Sequence, residues 1–209
     1  MSTFTSMEGY LKTQEFGDTK VHIFSDFDAQ DPRKDFDTPT IMVCFHRHYD
    51  LGNDDHGYTL DDNLPQQLFD DHGQGSIVIP LYLLDHSGLR MRAGRGFSDC
   101  DPGHWDSGQA GWIICPEQAI TDEWEGDRDR AQGYLYTEVA VYDAWLVGFV
   151  YGYVVENRFG EHVDSCWGFF DIPPMVHGQK SDFMEEVERV GTWWDENTMS
   201  VPKDAFHMA

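Results

Sequence analysis

Three side chains that bind divalent metals recur at alternate positions in one short segment. His46, His48 and Asp50 follow a β-rich apolar run that begins at Thr40. Because successive side chains of a strand point to opposite faces, this spacing would place all three on one face. Imidazole and carboxylate groups together suit zinc and similar ions. The segment indicates a candidate metal site, and the alternative is a polar strand end that enters an acidic loop.

A second group of reactive side chains lies in the loop of residues 99–109. Its Cys100 thiol and His104 imidazole stand among several carboxylates, and they could pair as nucleophile and base or help to bind zinc. The same composition is typical of a turn-rich connection with Trp105 as an anchor. The ligand candidates of a metal-dependent enzyme are therefore His46, His48, Asp50, Cys100 and His104.

Other enzymatic patterns are absent from the sequence. Asp85, His86 and Ser87 are adjacent, whereas the members of a catalytic triad converge in space, so a turn is the better interpretation. There is no phosphate-binding loop, dinucleotide fingerprint or nucleophile elbow. The four cysteines form no C-x-x-C pair. We expect a protein that is not an enzyme and that needs no cofactor.

The charge balance narrows the function classes further. The chain of 209 residues has 14 Lys and Arg against 38 Asp and Glu, for a formal net charge of -24. Such a protein does not bind nucleic acid or an anionic membrane through a general basic face. Hydrophobic residues make up 40% of the chain, which excludes a disordered acidic tail. Three explanations of the acidity stay open: solvation, including adaptation to high salt, binding of divalent metals, and imitation of a polyanion such as DNA.

Pairs of acids recur along the chain and favour the last explanation. Duplex DNA carries one charge per about 1.7 Å of its axis, and paired carboxylates on exposed loops and helices can approximate such rows. A basic cleft would be steered toward them. The predicted partner-binding acids are Asp50, Asp54, Asp55, Asp61, Asp62, Asp70, Asp71, Asp122, Glu123, Glu125, Asp127 and Asp129.

The elements that must position these groups can be predicted from apolar patterning. Strands are predicted at residues 21–24, 40–46, 76–84, 111–115, 149–156 and 162–169, and helices at 61–71, 116–125, 128–146 and 181–196. Pro80 suggests that its strand lies at an edge or carries a bulge. Because strands and helices do not alternate regularly, we expect an α+β fold with a mostly antiparallel sheet and three to four helices packed on it. The length suits one domain, residues 1–209.

Several strings resemble a family of uncharacterised acidic proteins from bacteriophages and mobile plasmids. They are TIMVCFHRHYDLGN (40–53), PLYLLDHSG (80–88), WDSGQAG (105–111), YGY (151–153) and DSCWGF (164–169). The resemblance implies a small accessory protein that a mobile element expresses in the host cytoplasm, with no enzymatic activity to transfer. By analogy of class and charge it implies an anti-restriction or anti-CRISPR inhibitor that mimics DNA.

The expected partner is a host nucleic-acid-binding defence protein or complex, with no direct nucleic acid contact. The sequence also has no signal-peptide pattern and no apolar stretch of 18 residues, so we expect a cytoplasmic protein with no membrane contact. Homodimerisation and the metal-dependent phage enzyme stay open as alternatives.

Overall fold

The computed structural model describes residues 10–54, 56–171 and 182–198, and these form four helices and eight strands. The strands are β1 (Lys12–Phe16), β2 (Thr19–Ser25), β3 (Ile41–Cys44), β4 (Ile77–Asp85), β5 (Leu89–Ala93), β6 (Ser107–Cys115), β7 (Val150–Glu156) and β8 (His162–Phe170). The helices are α1 (Leu64–His72), α2 (Glu117–Trp124), α3 (Arg128–Leu146) and α4 (Asp182–Thr198). None of the helices described is long and apolar enough to cross a membrane. The α+β prediction is confirmed, with two four-stranded antiparallel sheets.

Each sheet belongs to its own compact unit. The central unit is Gln30–Val147, and the terminal unit contains the described residues up to Ala29 and from Gly148 onward. The expectation of one domain stays a prediction. In the terminal unit the strand order is β1-β2-β7-β8, and α4 packs on this sheet through Phe183, Val187 and Val190. The predicted start of this helix at Ser181 lies outside the described residues.

The central unit has the strand order β3-β6-β4-β5. Helix α3 covers one face of this sheet, because Leu135, Val139 and Tyr142 recur at helical spacing and are buried against it. The helix begins where predicted, since the Asp127 carboxylate caps it by accepting from the Arg130 N–H at 3.1 Å. On the opposite face, α1 buries Leu64 and Leu68 in a smaller apolar cluster.

The sequence prediction for Pro80 is half correct. Strand β4 lies between β6 and β5, so the edge position is wrong, but the register with β6 shifts close to the proline, between Leu81 and Tyr82. The Pro80 carbonyl accepts from the Gly94 N–H just beyond the last β4–β5 pair, Leu81 with Ala93. The missing N–H of Pro80 therefore falls where the ladder with β5 has ended, which makes proline tolerable in a central strand.

The two ends of the central sheet carry different sets of connections. At one end, which we call the loop end, β3 and β4 finish, β5 and β6 begin, and the segments after Cys44 and before Ser107 meet. At the other end, which we call the helical end, Ile77 of β4 pairs with Cys115 of β6. The Ser76 hydroxyl there donates to the carbonyl of His72, so α1 also finishes at the helical end.

Candidate functional site

A cleft of about 740 Å³ opens at the loop end of the central unit, beside the segment that follows β3. Two of the predicted partner-binding acids, Asp50 and Asp54, line it. We call it the loop cleft. Its lining residues are Cys44, Phe45, His46, Arg47, Tyr49, Asp50, Leu51, Asn53, Asp54, His56 and Leu60.

The floor of the loop cleft is fixed by a buried polar network. The Asn53 side-chain oxygen accepts from the Met42 N–H at 2.7 Å and from the Arg33 guanidinium at 2.8 Å. The Asn53 amide in turn donates to the carbonyl of Arg33 at 2.9 Å. Next to it, the Gly52 N–H donates to the hydroxyl of Tyr142 at 3.0 Å. The chain between Asp50 and Asp54 is therefore held by the side chains of Arg33 and Tyr142 and by backbone groups of Arg33 and Met42.

A buried ion pair anchors this network to helix α3. The Arg33 guanidinium lies 3.3 Å from the Glu138 carboxylate, and both residues are less than 10% exposed. Thr40 donates its hydroxyl to Glu138 and accepts, through its carbonyl, from Arg33 at 3.0 Å. Burial raises the pKa of Glu138, and the contacts with Thr40 and Arg33 oppose that rise. Sequence reasoning missed this pair because it connects residues that are far apart in the chain.

Lys34 joins the two acids of the loop cleft. Its ammonium lies 2.7 Å from the Asp50 carboxylate and 2.9 Å from the Asp54 carboxylate. The two hydrogen bonds raise the pKa of Lys34 well above its usual value, so the ammonium stays charged. The carboxylates themselves remain open to solvent, because the Asp50 side chain is 82% exposed and that of Asp54 is 58% exposed.

The histidines of the predicted metal site take other roles. Strand β3 ends at Cys44, before His46, so the alternation that would align the three ligands does not extend through them. His46 stacks on the Tyr49 ring at 4.8 Å between centroids, and His48 lies 6.0 Å from His46. Within the described residues, no group of three His, Cys, Asp or Glu side chains could hold a metal ion. Asp50 instead binds Lys34.

Cys100 and His104 also have separate partners. The Cys100 thiol points to the Phe97 carbonyl, and the backbone N–H of His104 donates to the Asp101 carbonyl at 3.2 Å. The Asp101 carboxylate accepts from the Ser107 hydroxyl at 2.7 Å and from two backbone N–H groups. The Ser107 hydrogen bond is the largest cause that lowers the pKa of Asp101. These contacts support the interpretation of this loop as a turn-rich connection.

A second hollow borders the loop end between His46 and the start of β6, and it is lined in part by Asp85, Trp105 and Asp106. Tyr49 donates its hydroxyl to Asp85 at 3.1 Å, and this hydrogen bond raises the pKa of the tyrosine. Asp85, His86 and Ser87 follow one another at a strand end and turn, as predicted. The His86 imidazole binds Asp106 and not Asp85, so these residues do not form the hydrogen-bonded chain of a triad. Each carboxylate at this hollow has its own partner: Asp85 has Tyr49, and Asp106 has His86 at 2.7 Å.

The predicted partner-binding acids are all exposed where the structure describes them, and Asp55 lies outside the described residues. They fall into two groups. Asp50 and Asp54 line the loop cleft, and the other nine belong to α1, to α2, to the first turn of α3 and to the segments that precede these helices. The nine are Asp61, Asp62, Asp70, Asp71, Asp122, Glu123, Glu125, Asp127 and Asp129. Within the described part of the chain, none of these nine forms an ion pair with Lys or Arg.

One of the nine acids, Asp70, lies at the helical end. The Asp70 carboxylate accepts from the Gln74 amide at 2.9 Å, immediately before β4. Gly75 donates its N–H to Glu117 at the start of α2 and accepts from the Arg128 guanidinium at the start of α3. The end of α1 and the starts of α2 and α3 are thus held around one short segment. We call the nine acids the helical acids.

Four basic residues of the central unit bind acids other than the nine. Arg90 binds Asp143 at 2.8 Å, and Arg92 binds Asp99 at 2.7 Å. Arg33 is buried against Glu138, and Lys34 is bound at the loop cleft. These four cations therefore form no ion pair with the helical acids.

Comparisons with known proteins provide no further guide. No family model matches the chain, and neither a search of curated proteins nor a search of solved structures finds a match. The function is therefore argued from the residues alone.

Proposed function

We propose that this protein is an accessory protein of a phage or another mobile element that inhibits a nucleic-acid-targeting defence system of its host. It acts in the host cytoplasm as an inhibitor of the anti-CRISPR or anti-restriction type. Its acidic surface occupies the basic cleft in which the defence protein or complex would otherwise bind DNA or RNA. The inhibitor itself needs no contact with nucleic acid.

The observation that carries the proposal is the exposure of the helical acids without an ion pair among the described residues. A general solvating surface intersperses and pairs both signs of charge, whereas these acids form no ion pair within the described residues, although Arg128 and Arg130 stand beside Asp127 and Asp129 in the chain. A cleft built to bind phosphates would be attracted to such a surface, and its specificity and association rate would come from complementary charge.

Some helical acids are also held in place by neutral donors. The Asp70 carboxylate accepts from Gln66 and Gln74, each at 2.9 Å, and Asp122 accepts from Gln118 at 2.9 Å. Asp127 is fixed as the cap of α3. Amide donors orient a carboxylate without cancelling its charge. Ordered negative charge loses less side-chain entropy on binding than mobile charge does.

The proposal is tested by capture of partners from lysate of a permissive host. Tagged protein should retain a nuclease or another nucleic-acid-binding defence complex, identified by mass spectrometry. Because the contact is electrostatic, the recovered amount should fall as salt is added. Recovery of no such partner at low salt would contradict the proposal.

A matched pair of variants locates the contact. One variant carries amides at four helical acids: Asp122→Asn, Glu123→Gln, Glu125→Gln and Asp129→Asn. The control carries amides at four exposed acids of the terminal unit: Glu15→Gln, Asp28→Asn, Glu185→Gln and Glu196→Gln. Both variants lose four negative charges. The proposal requires that the first variant loses most of the captured partner and that the control retains it.

A further inference from the structure

We propose that Asp50 and Asp54 form a clamp for a single cationic side chain, and that Lys34 is an internal occupant which an arginine or lysine of the partner displaces. The inference rests on the proposed function for the identity of the partner, but the clamp itself can be tested with a defined cationic peptide. Lys34 then acts as an autoinhibitory contact that weakens the acidic surface at the loop cleft.

The position of Lys34 identifies the clamp. One ammonium lies within 3 Å of two carboxylates that are four residues apart in the chain. Two carboxylates in such a position repel one another unless a cation lies between them. The structure thus contains, within its own chain, the contact that a partner's cation would make.

The clamp is held open by the buried network beneath it. Leu51 and Gly52 are buried, and Asn53 is bound to Met42 and Arg33. The backbone between the two carboxylates is therefore held in place independently of Lys34. A preformed acceptor pays less ordering entropy when an external cation replaces the internal one.

The adjoining loop cleft suits a long cationic side chain. Tyr49 and His46 stack there, and the ring of Tyr49 is partly exposed, so it can receive a guanidinium by a cation–π contact. Leu60 is 59% exposed and offers apolar surface for an aliphatic stem. Arg47 also lines the cleft, and its charge limits the number of partner cations that can enter.

Exchange of the occupant is energetically accessible. Ion pairs in which the carboxylates are exposed contribute about 0.2–1 kcal/mol, which corresponds to a factor of roughly 1.4 to 5 in an equilibrium constant. A partner cation will therefore replace Lys34 if its binding free energy at the clamp exceeds the free energy that is lost when Lys34 leaves. Removal of Lys34 should raise the affinity of the clamp for an external cation by a factor of about 3.

The test is a titration of isotopically labelled protein with a tetra-arginine peptide at low salt, followed through the backbone amide shifts of residues 50–54. Lys34→Met should tighten the site-resolved dissociation constant at these amides by about threefold. Arg92→Met is the matched control, because it also removes one positive charge from an ion pair but lies at a different carboxylate. Arg92→Met should leave the dissociation constant of the peptide, measured at the amides of residues 50–54, unchanged.

Each outcome decides between the two proposals. If Lys34→Met binds no more tightly than the wild-type protein, or only as tightly as Arg92→Met, the clamp is refuted while the helical acids can still capture a defence partner. If the gain appears and is lost on adding Asp50→Asn and Asp54→Asn, the clamp stands. A gain without any captured partner supports the clamp and refutes the proposed function.

Discussion

Replacement of Arg33 by methionine should destabilise the protein far more than replacement of any exposed cation. Arg33 is 2% exposed and lies 3.3 Å from Glu138. Its removal leaves the Glu138 carboxylate buried without its cation and takes a donor from Asn53 and from the Thr40 carbonyl. Breaking a buried pair by deleting one partner costs about 3–5 kcal/mol. Total stabilities lie at about 5–15 kcal/mol, so the loss would be a large part of the whole.

Urea denaturation followed by tryptophan fluorescence and far-UV circular dichroism measures this loss. Arg92→Met, which breaks an exposed pair, is the control and should cost about 0.2–1 kcal/mol. The double variant Arg33→Met with Glu138→Leu should recover part of the loss, because it leaves no unpaired charge in the core. The reasoning is refuted if Arg33→Met lowers the free energy of unfolding no more than Arg92→Met does, or if the double variant is no more stable than Arg33→Met alone.

Three further predictions follow from individual residues. The Asp101 carboxylate has a pKa below its unfolded value of 3.8, so its stabilising effect is present above that pH and is lost as the pH falls through the folded pKa. The protection of the amides that it binds, measured relative to their intrinsic exchange rate at each pH, should therefore fall in acid, and Asp101→Asn should show low protection at all pH values. Burial raises the pKa of the Cys44 thiol to about 12 and that of Cys115 to about 11, whereas Cys100 and Cys166 are exposed. A thiol reagent should label two cysteines rapidly and the other two only after unfolding, and rapid labelling of all four would contradict this burial. Elemental analysis of purified protein should find no stoichiometric zinc, manganese or iron, and a full equivalent of any of them would favour the metal-dependent enzyme.

Local patterns in the sequence were sufficient to predict most of the elements. Helix α3 has a capping aspartate and an apolar face of helical period, and both depend only on neighbours in the chain. Strand β1 escaped prediction because its sequence, KTQEF, is largely polar, and β5 escaped it because LRMRA is short and carries two arginines. Each is an edge strand that packs on one side only, so it needs few apolar residues.

In the candidate site too, features that depend on neighbours in the chain could be predicted, and contacts between distant segments could not. The exposure of the acids could be predicted because charged side chains are seldom buried unless they are paired. The contact of Lys34 with Asp50 and Asp54 could not, since it depends on how the segments before and after β3 fold back on each other. The spacing of His46 and His48 suggested a strand face, but β3 ends too early for that spacing to apply.

The central claim is that the helical acids replace nucleic acid in the basic cleft of a defence protein. The most direct measurement is a competition experiment in which purified protein is titrated into the captured partner bound to labelled nucleic acid. The account predicts that the label is released, that release weakens as salt rises, and that the variant with four neutralised helical acids fails to release it. Binding of the protein to the partner with the nucleic acid still in place would contradict the account.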